Sequence, residues 1–206
     1  MLKLWGRTSS INVRKALWAV QEAGVAFERI DAGHEFGIVT TPQFMAKNPN
    51  AKIPVIEDGG FVLWESNVIV RWVCAQYARG TLYPADAREL FDAERWMDWQ
   101  QTTLNPAGRQ AFVQWIRTKE AERKPALIAD STAQTEPLMA LLDAHLGTRA
   151  YMAGESFTMA DIPIACEIHR WWGLPQERPP RPNIERWYSA ILARPATRGV
   201  LDLPLS

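Results

Sequence analysis

The sequence predicts an α+β protein, a small mixed unit followed by an all-helical one. Three observations carry that reading. Residues 2–77 give strand and helix signals in the order β-α-β, loop, β-β-α. Residues 80–86 (GTLYPAD) interrupt the pattern with Gly and Pro and read as a linker. Beyond them no convincing strand pattern occurs, and residues 87–206 carry helical spacing instead. The expected division is 1–79, a linker at 80–86, and 87–206.

Each element has its own signal. Residues 2–7 (LKLWGR) form a short apolar strand, followed by the polar turn Thr8-Ser9-Ser10. Residues 12–23 put Val13, Ala16, Leu17 and Val20 on one helical face, with Gly24 just past the end. Residues 27–31 alternate as a strand does, and 33–50 are irregular, punctuated by Gly33, Gly37, Pro42 and Pro49. Residues 53–57 and 61–64 flank Asp58-Gly59-Gly60, a hairpin signal. A helix then runs from Glu65-Ser66 to about Tyr77. In the second unit, 87–105 is a long helix that Pro106 is expected to kink or end. Further helices are expected over 126–146, 159–172 and 183–193.

Composition narrows the function. Over 206 residues, Lys+Arg and Asp+Glu are both 23. A zero net charge argues against a broad electrostatic grip on nucleic acid or an anionic membrane. No apolar run reaches the roughly 18 residues of a membrane span, and MLKLWGRTSS lacks a signal-like apolar core, so a cytoplasmic location is expected. Cys74 and Cys166 form no CxxC and fall in helices, where buried inert thiols are expected. With His34, His145 and His169 scattered, no metal site is expected. The 10 Trp residues suit core or interface packing, or a ligand platform.

Four constellations bear on chemistry. Ser9, Ser10 and Asn12 lie where a strand passes into a helix. They fit an N-cap, or donors to an anion such as a thiolate, because a helix N-terminus carries partial positive charge. Ile53-Pro54 opens a strand; a cis bond there would present the Ile53 main chain to a peptide-like ligand, although most X-Pro bonds are trans. Glu65-Ser66 opens the third helix, either as a cap or as a carboxylate-binding pair with Glu65 facing an ammonium. Thr158 and Asp161 match a capping box and read as structural.

Together these features resemble the glutathione transferases. Residues 48–56 (NPNAKIPVI) resemble the family's NP-x-x-x-(V/I)-P-x-(L/I) motif, and Glu65-Ser66-Asn67-Val68-Ile69 its E-S-x-x-I motif. Phe157-Thr158-Met159-Ala160-Asp161 resembles the capping motif of its helical domain. The resemblance spans essentially the whole chain. It implies a thioredoxin-like N-terminal domain, an all-helical C-terminal domain, a homodimer, and an active site between the domains. Pro54 is then expected to be cis. The Ile53 main chain would pair with the cysteinyl part of glutathione, Glu65 and Ser66 would hold its γ-glutamyl end, and Lys52 would meet its glycyl carboxylate. Asp98 would reach the ligand amine on the partner.

The first turn carries neither Tyr nor Cys. Ser10-Ile11-Asn12-Val13-Arg14-Lys15 resembles the S-x-N-x-x-K start of bacterial serine-type, theta- or nu-like members. That implies Ser10 as the thiolate donor with Asn12 as helper, while Ser9 stays open. The expected activity is conjugation of glutathione, the co-substrate, to small hydrophobic electrophiles. Apolar residues such as Phe112 and Trp115 are expected to line that pocket, or else to pack within a helix pair. Glutathione-dependent disulfide or peroxide reduction is an alternative, as is a non-catalytic binding or scaffold role.

Overall fold

The computed structural model describes residues 1–206. Its four-stranded sheet has the order β2-β1-β3-β4. Strand β1 (Leu2–Trp5) pairs in parallel with β2 (Phe27–Ile30), Leu2 opposite Phe27. It pairs antiparallel with β3 (Val55–Asp58), Trp5 opposite Val55. Strand β4 (Phe61–Trp64) closes the predicted hairpin.

Strand alternation gives the sheet two buried faces. Leu2, Leu4 and Ile56 point into the main core with α1 (Ile11–Glu22) and α3 (Ser66–Tyr77). Trp5 and Val55 point the other way, against Ala32 and Phe44. Phe44 sits on α2 (Pro42–Met45), a one-turn helix within the segment expected to be irregular.

Helix α1 is the axis of the molecule. Residues Val13 to Val20 are all buried, because α1 packs against α3 on one side and α7 (Asp161–Trp172) on the other. Two cations are therefore inside. Arg14 donates to the carbonyls of Thr8, Leu203 and Pro204. Lys15 is fully buried and donates to Gln100 Oε1 at 2.8 Å. Gln100 passes the connection to Glu167, which pairs with Arg170. Burial is the main force lowering the Lys15 ammonium to about 8, opposed by the Glu167 charge.

Of the two outcomes expected at Pro106, ending the helix does not occur: α4 (Ala87–Trp99) continues through a π-helical turn, Gln100–Leu104, into α5 (Asn105–Phe112). Proline cannot donate to the carbonyl four residues back, and its ring clashes there. The wider turn, with Asn105 N–H bonded to Gln100 C=O, accommodates the ring at the first turn of α5. A second π-helical turn, Val113–Arg117, follows. Helices α6 (Pro125–Leu146), α7 and α8 (Pro182–Leu192) complete the helical unit.

The capping box forms as expected. Thr158 Oγ1 accepts from Ala160 N–H, and the Asp161 carboxylate accepts from Thr158 and Met152 N–H and from Trp187 Nε1. Burial raises the Asp161 carboxyl to about 6 against the pull of these bonds. The segment expected as a linker is not slack: Leu82 is buried and its carbonyl accepts from Met159 N–H. The Trp residues mostly pack; Trp18 and Trp187 are fully enclosed.

Candidate active site

Three chain turns meet beside the N-terminus of α1. The first leaves β1 at Gly6, whose φ is +152°. A Cβ there would lie 2.4 Å from Val13 Cγ2, so only glycine lets the strand pass this close over the helix. The turn that follows carries Ser9, Ser10 and Asn12. Ser10 is the N-cap residue in extended conformation, yet its hydroxyl makes no capping bond. Its main chain is held by Ser10 N–H to Arg7 C=O and Arg14 N–H to Ser10 C=O. Ser9 differs, because Arg7 donates to its hydroxyl oxygen. The Asn12 Oδ1 is buried with no partner.

The second turn is built by Asn48, which sequence reading placed in a motif without giving it a role. Its side chain is buried, donating to Lys52 C=O at 2.8 Å and accepting from Asn50 N–H at 3.0 Å. This clamp sets the loop before Ile53-Pro54, whose peptide bond is cis. The main-chain N–H and C=O of Ile53 make no hydrogen bond within the chain. Gly33 lies against the Ile53 side chain, where a Cβ would come within 3.1 Å of Cδ1. Pro54 is buried, and Lys52 is exposed.

The third turn joins β4 to α3. Glu65 occupies it with φ +73°, a conformation that non-glycine residues rarely adopt, and its carboxylate faces solvent. Ser66 follows at the first position of α3. It is 3% exposed, and its hydroxyl is buried without a partner.

Ser9, Ser10, Asn12 and Lys52 open onto one cleft of about 320 Å³ between the sheet and the helices. Ile53, Pro54, Glu65 and Ser66 are not among its lining residues. Both cysteines are buried and pushed up to about 12 by burial, which matches the expectation of inert thiols.

The opposite wall is mixed: Arg109, Arg117 and Arg170 line it beside Phe112 and Val113, and no Asp or Glu side chain does. Phe112 lines the cleft as expected, but Trp115 does not. The Trp115 indole donates to Gln176 Oε1 at 3.2 Å, and its ring lies beneath Arg123. The second π-helical turn sets the orientation of this segment, which regular helical spacing does not anticipate. Asp98 is committed to an ion pair with Arg71.

Comparison with known proteins places these features in a family. Residues 1–74 match the glutathione S-transferase N-terminal domain and residues 101–195 the glutathione S-transferase C-terminal domain. Glutathione S-transferase GstB of Escherichia coli strain K12 is 40% identical, covering 100% of both chains. Glutathione S-transferase 3 of Zea mays is 33% identical over 99% of this chain and 95% of its own. Among solved structures, the theta class glutathione S-transferase of Xanthomonas axonopodis pv. citri, with glutathione bound, superimposes with a TM-score of 0.95. It is 45% identical, covering 100% of this chain and 99% of its own.

Proposed function

The chain belongs to the glutathione S-transferase family, and on that premise we propose that it joins the glutathione thiolate to electrophiles in the cleft beside Ser10. One observation carries the reading: the hydroxyl of Ser10, the main chain of Ile53 and the hydroxyl of Ser66 are all left without partners in the chain. The Ser66 hydroxyl is buried, and buried polar groups are rarely left so; each of the three suits one part of a γ-linked tripeptide.

In this reading Ser66 takes the γ-glutamyl carboxylate with its hydroxyl and the N-terminal N–H groups of α3. Glu65, exposed at its strained turn, faces the ammonium. Ile53 pairs through both main-chain groups with the cysteinyl residue, and Lys52 meets the glycyl carboxylate. The sulfur then lies at Ser10. A free thiol near pKa 8.5 is only a few per cent thiolate at neutral pH; lowering it about two units requires about 2.7 kcal/mol. A charge-assisted hydrogen bond from Ser10 supplies about 1.5–3 kcal/mol. The N-terminus of α1 adds about 0.3–1 kcal/mol. No general base is needed, and the thiol proton passes to solvent. Ser10 is taken as the donor because it is the N-cap residue of α1 and its hydroxyl makes no capping bond, while Ser9, which accepts from Arg7 and keeps its own O–H, is the alternative that the S9A variant separates. Asn12, whose side-chain oxygen is buried without a partner, acts as helper to Ser10.

The reading includes a thioredoxin-like domain over 1–79, a helical domain over 87–206, and a homodimer. Exposed Phe61, Val68 and Phe91 offer apolar surface for a second copy. No helix is long and apolar enough to cross a membrane. The test is retention on immobilised glutathione together with turnover of a chromogenic electrophile. Both are expected. Retention without turnover of electrophiles, peroxides or disulfides would instead favour a scaffold.

A further inference from the structure

Resting on the reading of Ser10 as the thiolate donor, we propose that Arg14 is a positioning residue for that hydroxyl, which it holds in place by tying the turn before α1 to the segment Leu203–Pro204.

Arg14 is 3% exposed, and all three of its side-chain hydrogen bonds go to main-chain carbonyls. Nε donates to Thr8 at 2.7 Å, Nη1 to Leu203 at 3.2 Å and Nη2 to Pro204 at 2.6 Å. A buried cation without a paired carboxylate is costly. Burial lowers the guanidinium from its ordinary value, against the pull of Cys166, Tyr188 and Asp202. Packing alone would be served as well by an apolar side chain. What the guanidinium adds is a rigid fork that reaches acceptors on two distant segments at once.

The two segments give the fork its meaning. Arg14 lies one helical turn after Ser10, and its main-chain N–H donates to Ser10 C=O at 3.0 Å. Its side chain then returns to Thr8 C=O, so Arg14 grips the turn on both sides of Ser9-Ser10. The Ser10 hydroxyl makes no bond within the chain that could direct it. Its place therefore follows from the main chain that Arg14 fixes. The far anchor is itself fixed to α7. Leu203 C=O also accepts from His169 Nε2 at 3.0 Å, and Leu205 rests on Gly173, where a Cβ would come within 2.7 Å of Leu205 Cδ1. Leu205 lines the same cleft as Ser9, Ser10 and Arg14. The helical unit thus sets the position of a hydroxyl that belongs to the sheet unit. Misplacing a catalytic group by about 1 Å through a remote change can cost on the order of 100-fold in rate.

The test is a double-mutant cycle read on the thiol of bound glutathione, titrated by thiolate absorbance in wild type, R14M, S10A and R14M/S10A. R14M is expected to raise the thiol pKa by at least about 0.5 unit, about threefold less thiolate at neutral pH, with a circular dichroism spectrum like the wild type. In the S10A background R14M is expected to change nothing further, because Arg14 acts through Ser10. R14K keeps the charge without the fork and is expected to raise the thiol pKa in the Ser10 background alone; it carries the cycle should R14M not fold. An unmoved thiol in a folded Arg14 variant overturns the proposal. Equal rises with and without Ser10 would make the guanidinium a direct counter-charge to the sulfur and overturn it too. A thiol unmoved by S10A overturns the Ser10 assignment and the proposal with it, whereas absence of glutathione binding in the wild type overturns the underlying function.

Discussion

The start of α7 and the starts of α1 and α3 use the same residue types and do opposite things. At α7, Thr158 and Asp161 close on themselves. The hydroxyl accepts from Ala160, and the carboxylate accepts three N–H donors, Trp187 among them. At α1 and α3 the hydroxyls of Ser10 and Ser66 bond to nothing in the chain. All three read as caps in the sequence, and only the first is a completed one. A helix start that spends its donors internally is part of the scaffold; one that leaves them unspent is prepared for a ligand.

The comparison breaks most visibly at Asp161. D161A strands three N–H donors in the core, and the loss is expected to be at least about 3 kcal/mol of stability, given about 1–3 kcal/mol per buried unsatisfied group. Chemical denaturation checks it. A loss below about 1 kcal/mol would place α7's start in the same class as the other two. At Ser66 the effect should move from stability to binding. S66A is expected to weaken glutathione about tenfold, or about 1.4 kcal/mol, by calorimetry. Its unfolding free energy should stay within about 0.5 kcal/mol of the wild type, since no internal bond is lost. Equal losses in both quantities would make Ser66 a structural cap after all.

This difference also marks what was legible in the sequence. Apart from the one-turn α2, the strand and helix order of residues 2–77 was plain from alternation, helical spacing and the Asp58-Gly59-Gly60 turn. So was Thr158–Asp161, because a capping box is a local pattern. The open state of Ser10 and Ser66 was not, since an unmade bond leaves no trace in spacing; only family resemblance pointed to it. The π-helical turns were hidden for another reason. Pro106 announces a lost hydrogen bond, but whether the chain kinks, stops or widens depends on tertiary packing. The cleft arginines were missed because Arg7, Arg109, Arg117 and Arg170 come from three separate elements. The one available hint was Arg109 and Arg117 flanking Phe112 on a single helical run. Lys15 belonged to the motif but works inside, linking α1 to Gln100 and through it to α7. Asn48 was likewise quoted as motif and proves to be the clamp of its loop.

The central claim is that the unspent hydroxyl of Ser10 lowers the pKa of the bound thiol. The direct measurement is the ultraviolet absorbance of the thiolate as the glutathione complex is titrated with alkali, in wild type, S10A and S9A. The wild-type thiol is expected to ionise about two units below its free value near 8.5. In S10A it should rise by at least about one unit, with glutathione affinity changed less than about threefold, as loss of one charge-assisted bond requires. An unmoved value in S10A, with the rise found in S9A instead, would contradict the assignment.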